Sequence, residues 1–178
     1  MKISKNNILK LSIFLSIICF FSLNIFSNNT FNRISLDTTQ NNLYTISSGT
    51  KKFLKNIDEP IHLRLFMSST LVEIAPQLST YANRVESLLY SYANMSEGKI
   101  TLEIIDPKPF SDQEDRAVGM GISPFGGSNN NDPLYFGLAA TNSTTGQKNI
   151  NVFSPEREPF LEYDLTRLIA ELAQTKKP

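Results

Sequence analysis

A long amphipathic helix between two short strands is the feature that most limits how this chain can fold. Over residues 75–95 the apolar side chains recur every three or four positions and form one helical face, comprising Leu78, Tyr81, Ala82, Val85, Leu88, Leu89 and Tyr92. Alternating apolar residues predict a strand on either side, at 61–67 and at 100–105. Because a strand, a helix and a second strand are typical of a parallel crossover, the pattern predicts an α/β domain.

The rest of the chain extends this pattern to the order β-α-β-α-β-β-α. Ser111 and Glu114 are spaced as a capping box, which predicts a short helix after them. Strands at 134–140 and 148–153 are predicted to form a hairpin, and a last helix is expected to begin at 154–155. A further short helix, capped by Ser47, is predicted to precede the first strand.

This order is that of a thioredoxin-like domain, but the stretch that would carry redox chemistry lacks sulfur. Redox members of that fold place a CxxC pair where the first strand meets the long helix. Here that stretch is 68–73, and the one cysteine of the chain is Cys19. We therefore expect a thioredoxin-like β-α-β-α-β-β-α domain lacking CxxC and without thiol–disulfide activity.

The N-terminal segment is apolar enough to cross a membrane. Residues 8–26 are mostly Ile, Leu and Phe, and as a helix they would span about 28 Å, close to the thickness of the hydrocarbon core. Lysines cluster at the start of this run and none follows it closely, which places the N-terminus in the cytoplasm. We predict a single-pass signal anchor or transmembrane helix at 1–27 in a bacterial inner membrane, a membrane-proximal linker at 28–46, and an extracytoplasmic (periplasmic) domain at 47–178.

Two alternatives to a retained anchor remain open. The run could be a cleaved signal peptide, although no small-x-small cleavage pattern follows Phe21. It could instead carry a lipid on Cys19, although Ile18 stands where a small residue is usual. Each alternative also places the folded part of the chain outside the cytoplasm.

The composition argues against several classes of function. One histidine, His62, and one cysteine are too few for a zinc or copper site or for a disulfide framework. The formal net charge is +0 and no basic face appears, so nucleic-acid binding is not expected. Acidic clusters at 114–115 and 156–158 stand at helix starts, where they favour the helix dipole. We expect no metal, no cofactor and no enzymatic activity.

Several short sequence motifs of the chain, taken together, resemble those of a known family. They lie at 36–38, 43–47, 49–52, 59–66, 104–107, 135–138 and 155–169, and the last, PEREPFLEYDLTRLI, is the most specific. This combination resembles the N-terminal, membrane-anchored region of the GldG-like family, gliding-motility-associated auxiliary components of ABC-type transport systems. The resemblance implies contact with permease and ATPase subunits and with a downstream GldG-like domain on a separate or missing segment. It implies no catalytic residues.

The segment 156–167 mixes charged and aromatic residues, as a protein interface does. Its candidate contact residues are Glu156, Arg157, Phe160, Glu162, Tyr163, Asp164 and Arg167. The alternative is that these side chains cap and pack the last helix.

Three functions therefore follow from the sequence as hypotheses. The first is a membrane-anchored, non-ATPase auxiliary component of an ABC-type transport system that acts by protein contact. The second is an anchored extracytoplasmic ligand- or polysaccharide-binding module, in which the loop 123–133 would form the rim of the binding site. The third is a degenerate redox enzyme, which one cysteine in a membrane segment disfavours.

Overall fold

The computed structural model describes residues 15–16, 20, 46–126 and 132–174. The chain divides into two compact units, Met1–Asn42 and Leu43–Pro178. The predicted anchor and linker, and the alternative lipid site at Cys19, lie outside the described residues except for helical Leu15, Ser16 and Phe20 and for Ile46. Within the described part of the chain, no helix combines the length and apolar character that a membrane crossing requires.

The second unit has a mixed α/β fold, as predicted. Its strands are β1 (Ile61–Met67), β2 (Ile100–Ile105), β3 (Phe136–Asn142) and β4 (Gln147–Ile150). Its helices are α1 (Ser48–Lys55), α2 (Leu71–Ile74), α3 (Ser79–Met95), α4 (Asp112–Gly119) and α5 (Leu161–Ala173), with 3₁₀ helices at Pro76–Leu78 and Pro155–Phe160. The bounds of β1 and β2 match the prediction.

The four strands form one sheet in the order β2-β1-β3-β4. Strand β1 pairs with β2 in parallel, with Ile61 opposite Ile100, and with β3 in antiparallel. Strand β4 continues the hairpin from β3 at one edge of the sheet. Because β1 and β3 are central, their residues are mostly buried, whereas three of the four residues of β4 are exposed.

The two faces of the sheet carry separate hydrophobic clusters. On one face, the alternating residues of β1, such as Leu63 and Leu65, pack against α3 and α5. On the other face a smaller cluster joins α4 and the segment after it to the sheet, and comprises Phe66, Ile105, Ala117, Ile122, Tyr135 and Ala139. Phe66 lies on the face of β1 opposite Leu63 and Leu65, and it is buried because this cluster covers the end of the strand.

Prolines account for the differences between predicted and observed helix starts. The helix predicted from residue 75 begins as the 3₁₀ turn at Pro76, and α3 starts at Ser79. The last helix likewise begins as 3₁₀, because Pro159 has no N–H to donate to the carbonyl of Pro155. At the other end of α3, Gly98 takes the left-handed conformation that commonly ends a helix, with φ 87°.

Two local predictions are corrected by the backbone pairing. Ser111 caps α4 through the N–H of Glu114 at 3.3 Å, but the Glu114 carboxylate accepts from the N–H of Phe110 at 2.7 Å, one residue earlier than in a capping box. Strand β3 starts later than predicted, because Leu134 forms an isolated bridge with Phe125 instead.

Gly137 is a position where the sheet has no room for a side chain. A Cβ there would lie 2.5 Å from the carbonyl oxygen of Asn151 and 2.9 Å from that of Ile150. We expect Gly137→Ala to lower the free energy of unfolding by about 1–3 kcal/mol, the usual cost of overpacking. The control is Gly119→Ala in α4, where nothing lies within 4 Å; it should be neutral or stabilising by up to about 1 kcal/mol. Urea unfolding followed by circular dichroism measures both, and equal effects would contradict the prediction.

Candidate functional site

The predicted contact residues lie on the 3₁₀ helix at 155–160 and on the first turns of α5. Five of them are exposed: Glu156, Arg157, Phe160, Tyr163 and Arg167. The exposed fractions are 56% for Phe160 and 63% for Tyr163, which is high for large aromatic residues. We call Arg157, Phe160, Tyr163 and Asp164 the aromatic surface.

Charge is fixed beside these aromatic rings. The Arg157 guanidinium binds Asp164 through two hydrogen bonds, Nη2 to Oδ1 at 2.8 Å and Nε to Oδ2 at 3.0 Å. The hydrogen bond and the charge of Asp164 raise the pKa of Arg157. The guanidinium carbon also lies 5.8 Å from the centroid of the Phe160 ring, within cation–π range. The aromatic surface therefore has a defined arrangement of charge before any partner binds.

The Glu162 side chain is not part of the aromatic surface, because its carboxylate is hydrogen-bonded to another helix of the domain. Its Oε1 accepts a hydrogen bond from the backbone N–H of Ser47 at 3.0 Å, which joins the start of α1 to α5. Burial acts to raise the pKa of Glu162, but hydrogen bonds from Thr50 and Ser47 and the charge of Lys51 outweigh it, and the pKa is lowered. Glu162 therefore contacts the N-terminal end of α1.

A chain of hydroxyl groups continues from Glu162 behind the surface. The Tyr92 hydroxyl of α3 donates to the carbonyl oxygen of Glu162 at 3.1 Å and lies 2.7 Å from the Thr166 hydroxyl. Thr166 in turn lies 3.4 Å from the Thr50 hydroxyl of α1. Burial raises the pKa of Tyr92, so its hydroxyl stays protonated. These groups join α1, α3 and α5, and sequence reasoning missed them because each was assigned to its own helix.

An ion pair between a buried arginine and a half-buried glutamate anchors the 3₁₀ helix to α3. The Arg84 side chain is 8% exposed and donates through Nη1 to Oε1 of Glu158 at 2.7 Å. Sequence reasoning treated Glu158 only as a helix-start carboxylate and did not select Arg84. The available signal was that Arg84 lies among the apolar positions of α3, between Ala82 and Val85.

A groove of about 270 Å³ runs between the edge strand β4 and α5. Its lining residues are Lys148, Asn149, Ile150, Arg157, Asp164, Arg167, Leu168 and Glu171. Three of these were predicted as contact residues, namely Arg157, Asp164 and Arg167. The β4 side of the groove was not predicted, because only the folded sheet brings it to α5. We call this the β4–α5 groove.

The charges of the groove are largely paired. Glu171 is hydrogen-bonded by the Arg167 guanidinium at 2.9 Å and ion-paired with the Lys148 ammonium at 3.0 Å. The hydrogen bonds and charges of these two cations lower the pKa of Glu171. Three cationic side chains nevertheless face two carboxylates, so the groove carries an excess of positive charge.

The other candidates from the sequence show no catalytic arrangement among the described residues. His62 is exposed, and its Nδ1 lies 2.7 Å from the Thr101 hydroxyl on the neighbouring strand. In the described parts of the loop 123–133, Phe125 and Leu134 bridge its two ends, while 127–131 lie outside them. No cluster of three or more His, Cys, Asp or Glu side chains positioned to hold a metal occurs in the parts of the chain that the structure describes.

Removing the carboxylate of Glu158 should destabilise the domain, because it leaves the buried Arg84 charge without this partner. We expect Glu158→Ala to lower the free energy of unfolding by about 2–3 kcal/mol. Glu156→Ala is the matched control: its exposed carboxylate accepts from the Ser154 hydroxyl, and its effect should stay within about 0.5 kcal/mol. Denaturant unfolding of both variants tests this, and similar losses would contradict a special role for the pair.

Glu162 should make stability depend on pH. Because its pKa is lower in the folded state, its contribution is present at neutral pH and is lost as the pH falls through that lowered pKa. Glu162→Gln removes the titrating group, so part of the acid destabilisation should disappear below about pH 4. Unfolding free energies measured against pH decide the point, since parallel curves for the wild type and the variant would exclude the effect.

Comparison with known proteins identifies the family but supplies no activity. A family model described as a domain of unknown function, DUF7088, matches residues 40–141, which extend from before α1 into β3. No curated protein matches the chain. No solved structure matches it. The aromatic surface and the β4–α5 groove lie beyond the matched residues. On the match over more than half of its length, the chain belongs to the DUF7088 family.

Proposed function

We propose that this protein is a membrane-anchored, non-ATPase auxiliary component of an ABC-type transport system, acting by protein contact outside the cytoplasm. In this proposal residues 1–27 form the single-pass anchor in a bacterial inner membrane, with the N-terminus in the cytoplasm. The domain is thioredoxin-like and non-catalytic, and its partners are the permease and, through it, the ATPase. A downstream GldG-like domain would be a further contact.

The observation that carries the proposal is the aromatic surface. Aromatic residues and arginine are the residue types enriched in the energetically dominant parts of protein interfaces. Here Phe160 and Tyr163 are more than half exposed and stand beside an arginine held by two hydrogen bonds. Exposed aromatic residues grouped beside an arginine are typical of a protein contact site.

The support behind this surface also favours a docking role. Leu161 and Leu165 are buried in the core, and the Glu162 carboxylate ties α5 to the start of α1. A side chain whose helix is already held in place loses less freedom when a partner binds, so more of the contact energy appears as affinity. The surface is therefore preorganised for binding.

The sheet is consistent with a thioredoxin-like domain that has lost redox chemistry. Strand β1 lies between β2 and β3, is parallel to the first and antiparallel to the second, and β4 follows at the edge. The stretch 68–73 after β1 contains no sulfur for a thiol reaction. Fold likeness alone assigns no activity, so the proposal rests on the surface and on the short sequence motifs that resemble the family.

A ligand- or polysaccharide-binding module is the second candidate, and the β4–α5 groove is the observation that favours it. Its volume of about 270 Å³ is near the lower end of the range for small-molecule pockets, which is about 300–1,000 Å³. Its lining is dominated by paired charges, whereas such pockets are mostly apolar. The groove therefore supports this candidate less well than the aromatic surface supports the first.

The proposal is tested by purifying the tagged full chain from native membranes in mild detergent and identifying its partners by mass spectrometry. We expect the wild type to recover an ABC permease and ATPase. The double variant Phe160→Ala/Tyr163→Ala should recover at least about tenfold less, since an interface residue that dominates binding contributes at least about 2 kcal/mol.

The control is Phe110→Ala, which removes a fully exposed phenylalanine side chain elsewhere on the domain and is matched to the single variant Phe160→Ala. Its recovery of the ABC subunits should equal that of the wild type. Absence of ABC subunits from the wild-type complex would overturn the proposal. Equal recovery by the double variant would show that the aromatic surface is not the contact.

A further inference from the structure

We propose that the outer edge of β4 binds an extended, acidic segment of a partner protein as an additional strand, with its acidic side chains in the β4–α5 groove. This inference deepens the proposed function and rests on it for the existence of a protein partner. It specifies what the partner presents, which is a strand-forming segment with carboxylate side chains.

The backbone groups of β4 that point outward can be read from its register. The N–H of Asn142 donates to the carbonyl of Gly146 at 3.1 Å, so these residues are a hydrogen-bonded pair of the antiparallel ladder. Hydrogen-bonded pairs alternate, so Lys148 and Ile150 bond to β3, whereas the N–H and C=O groups of Gln147 and Asn149 point away from it. Since β4 is last in the sheet order, these groups form a free edge within the described sheet.

The side chains next to this edge form one wall of the groove. Lys148 and Ile150 lie on the same face of the sheet as α5. Lys148 forms an ion pair with Glu171 of α5, and Leu138, which is paired with Ile150 in the sheet, packs in the same hydrophobic cluster as the buried residues of α5. The Asn149 side chain is on the other face, where it donates to the carbonyl of Met120 at 2.9 Å. A strand added to β4 would therefore place alternate side chains in the groove, against α5.

The charge of the groove selects acidic side chains. Among the described residues that line the groove, the cations are Lys148, Arg157 and Arg167 and the carboxylates are Asp164 and Glu171. The Arg167 guanidinium uses its Nε on Glu171, and among the described residues its Nη atoms make no side-chain hydrogen bond, which leaves donors for a carboxylate. An incoming glutamate or aspartate would compensate the excess positive charge, and a lysine there would add to it.

The experiment uses the full chain in mild detergent and a fluorescent peptide of about nine residues, the length of a strand, in which glutamate alternates with valine. Fluorescence anisotropy should show saturable binding. A peptide with lysine for glutamate should bind at least about tenfold more weakly, as should the acidic peptide to the Arg157→Gln/Arg167→Gln variant. Equal binding of both peptides would overturn the inference.

A second pair of variants separates strand addition from simple attraction of charge. Asn149→Pro removes the outward N–H without removing a bond to β3, so peptide binding should fall about tenfold. Asn149→Ala loses the same side-chain hydrogen bonds but keeps the N–H, and should bind the peptide like the wild type. Equal binding by the two variants would overturn the inference.

If Asn149→Pro does not fold, backbone amide hydrogen exchange measured on the wild type tests strand addition instead. The amides of Gln147 and Asn149 should exchange more slowly when the acidic peptide is bound, and unchanged exchange would overturn the inference. Full competition by free glutamate or sulfate would also overturn it, in favour of an anion site. A dimer that Asn149→Pro dissociates would overturn it in favour of a second copy of this chain.

The failures of this inference and of the proposed function are distinguishable. Peptide binding that persists while the membrane complex lacks ABC subunits would reject those partners and keep the docking edge. Recovery of ABC subunits without any peptide binding would reject the docking edge and keep the partners.

Discussion

Strand β1 is the element on which the rest of the domain depends, because it hydrogen-bonds to a strand on each side. Its parallel partner β2 requires a long connection back across the sheet, which α3 provides. Its antiparallel partner β3 brings the hairpin and the edge strand β4. Both of its faces are covered near its end, where Leu65 packs under α3 and α5 and Phe66 packs in the cluster beside α4. Loss of the β1 pairings would therefore disrupt both hydrophobic clusters.

The aromatic surface is positioned by polar contacts placed at the ends of helices. The Glu162 carboxylate holds the start of α1, the Tyr92 hydroxyl reaches the backbone of α5, and the buried Arg84 holds Glu158. Each contact is costly to break, because it would leave a buried or half-buried polar group without this partner. The buried apolar face of α5 sets which side of the helix points inward, and these directional hydrogen bonds fix the helix position more closely. The orientation of Phe160 and Tyr163 follows from these contacts.

The aromatic surface and the β4–α5 groove share Arg157 and Asp164, so a partner could occupy both at once. The rings of the surface would supply buried apolar area, and the edge strand would supply directional backbone hydrogen bonds. The combination would give both affinity and a fixed register. The same arrangement explains why the edge strand β4 is short and carries Lys148, features that limit indiscriminate pairing of strand edges.

Local pattern was sufficient for most of the fold. The alternation in β1 and β2, the apolar face of α3 and the cap at Ser111 were all predictable, because each depends on residues within a few positions of one another. Predictions failed where a distant element decides the outcome. Phe66 is buried because α4 covers it, and Leu134 leaves β3 because Phe125 pairs with it.

The sequence by itself determined the elements, their order and the selection of 156–167 as a contact segment. Only the tertiary structure showed that Glu162 is used inside the domain, because its hydrogen-bond partners Ser47 and Tyr92 are far away in the chain. Only the tertiary structure brought Lys148 and Asn149 to the same groove as Arg157 and Arg167. The physical reason is that secondary structure follows from short-range periodicity, whereas a surface is assembled from side chains whose proximity arises when the sheet and helices pack.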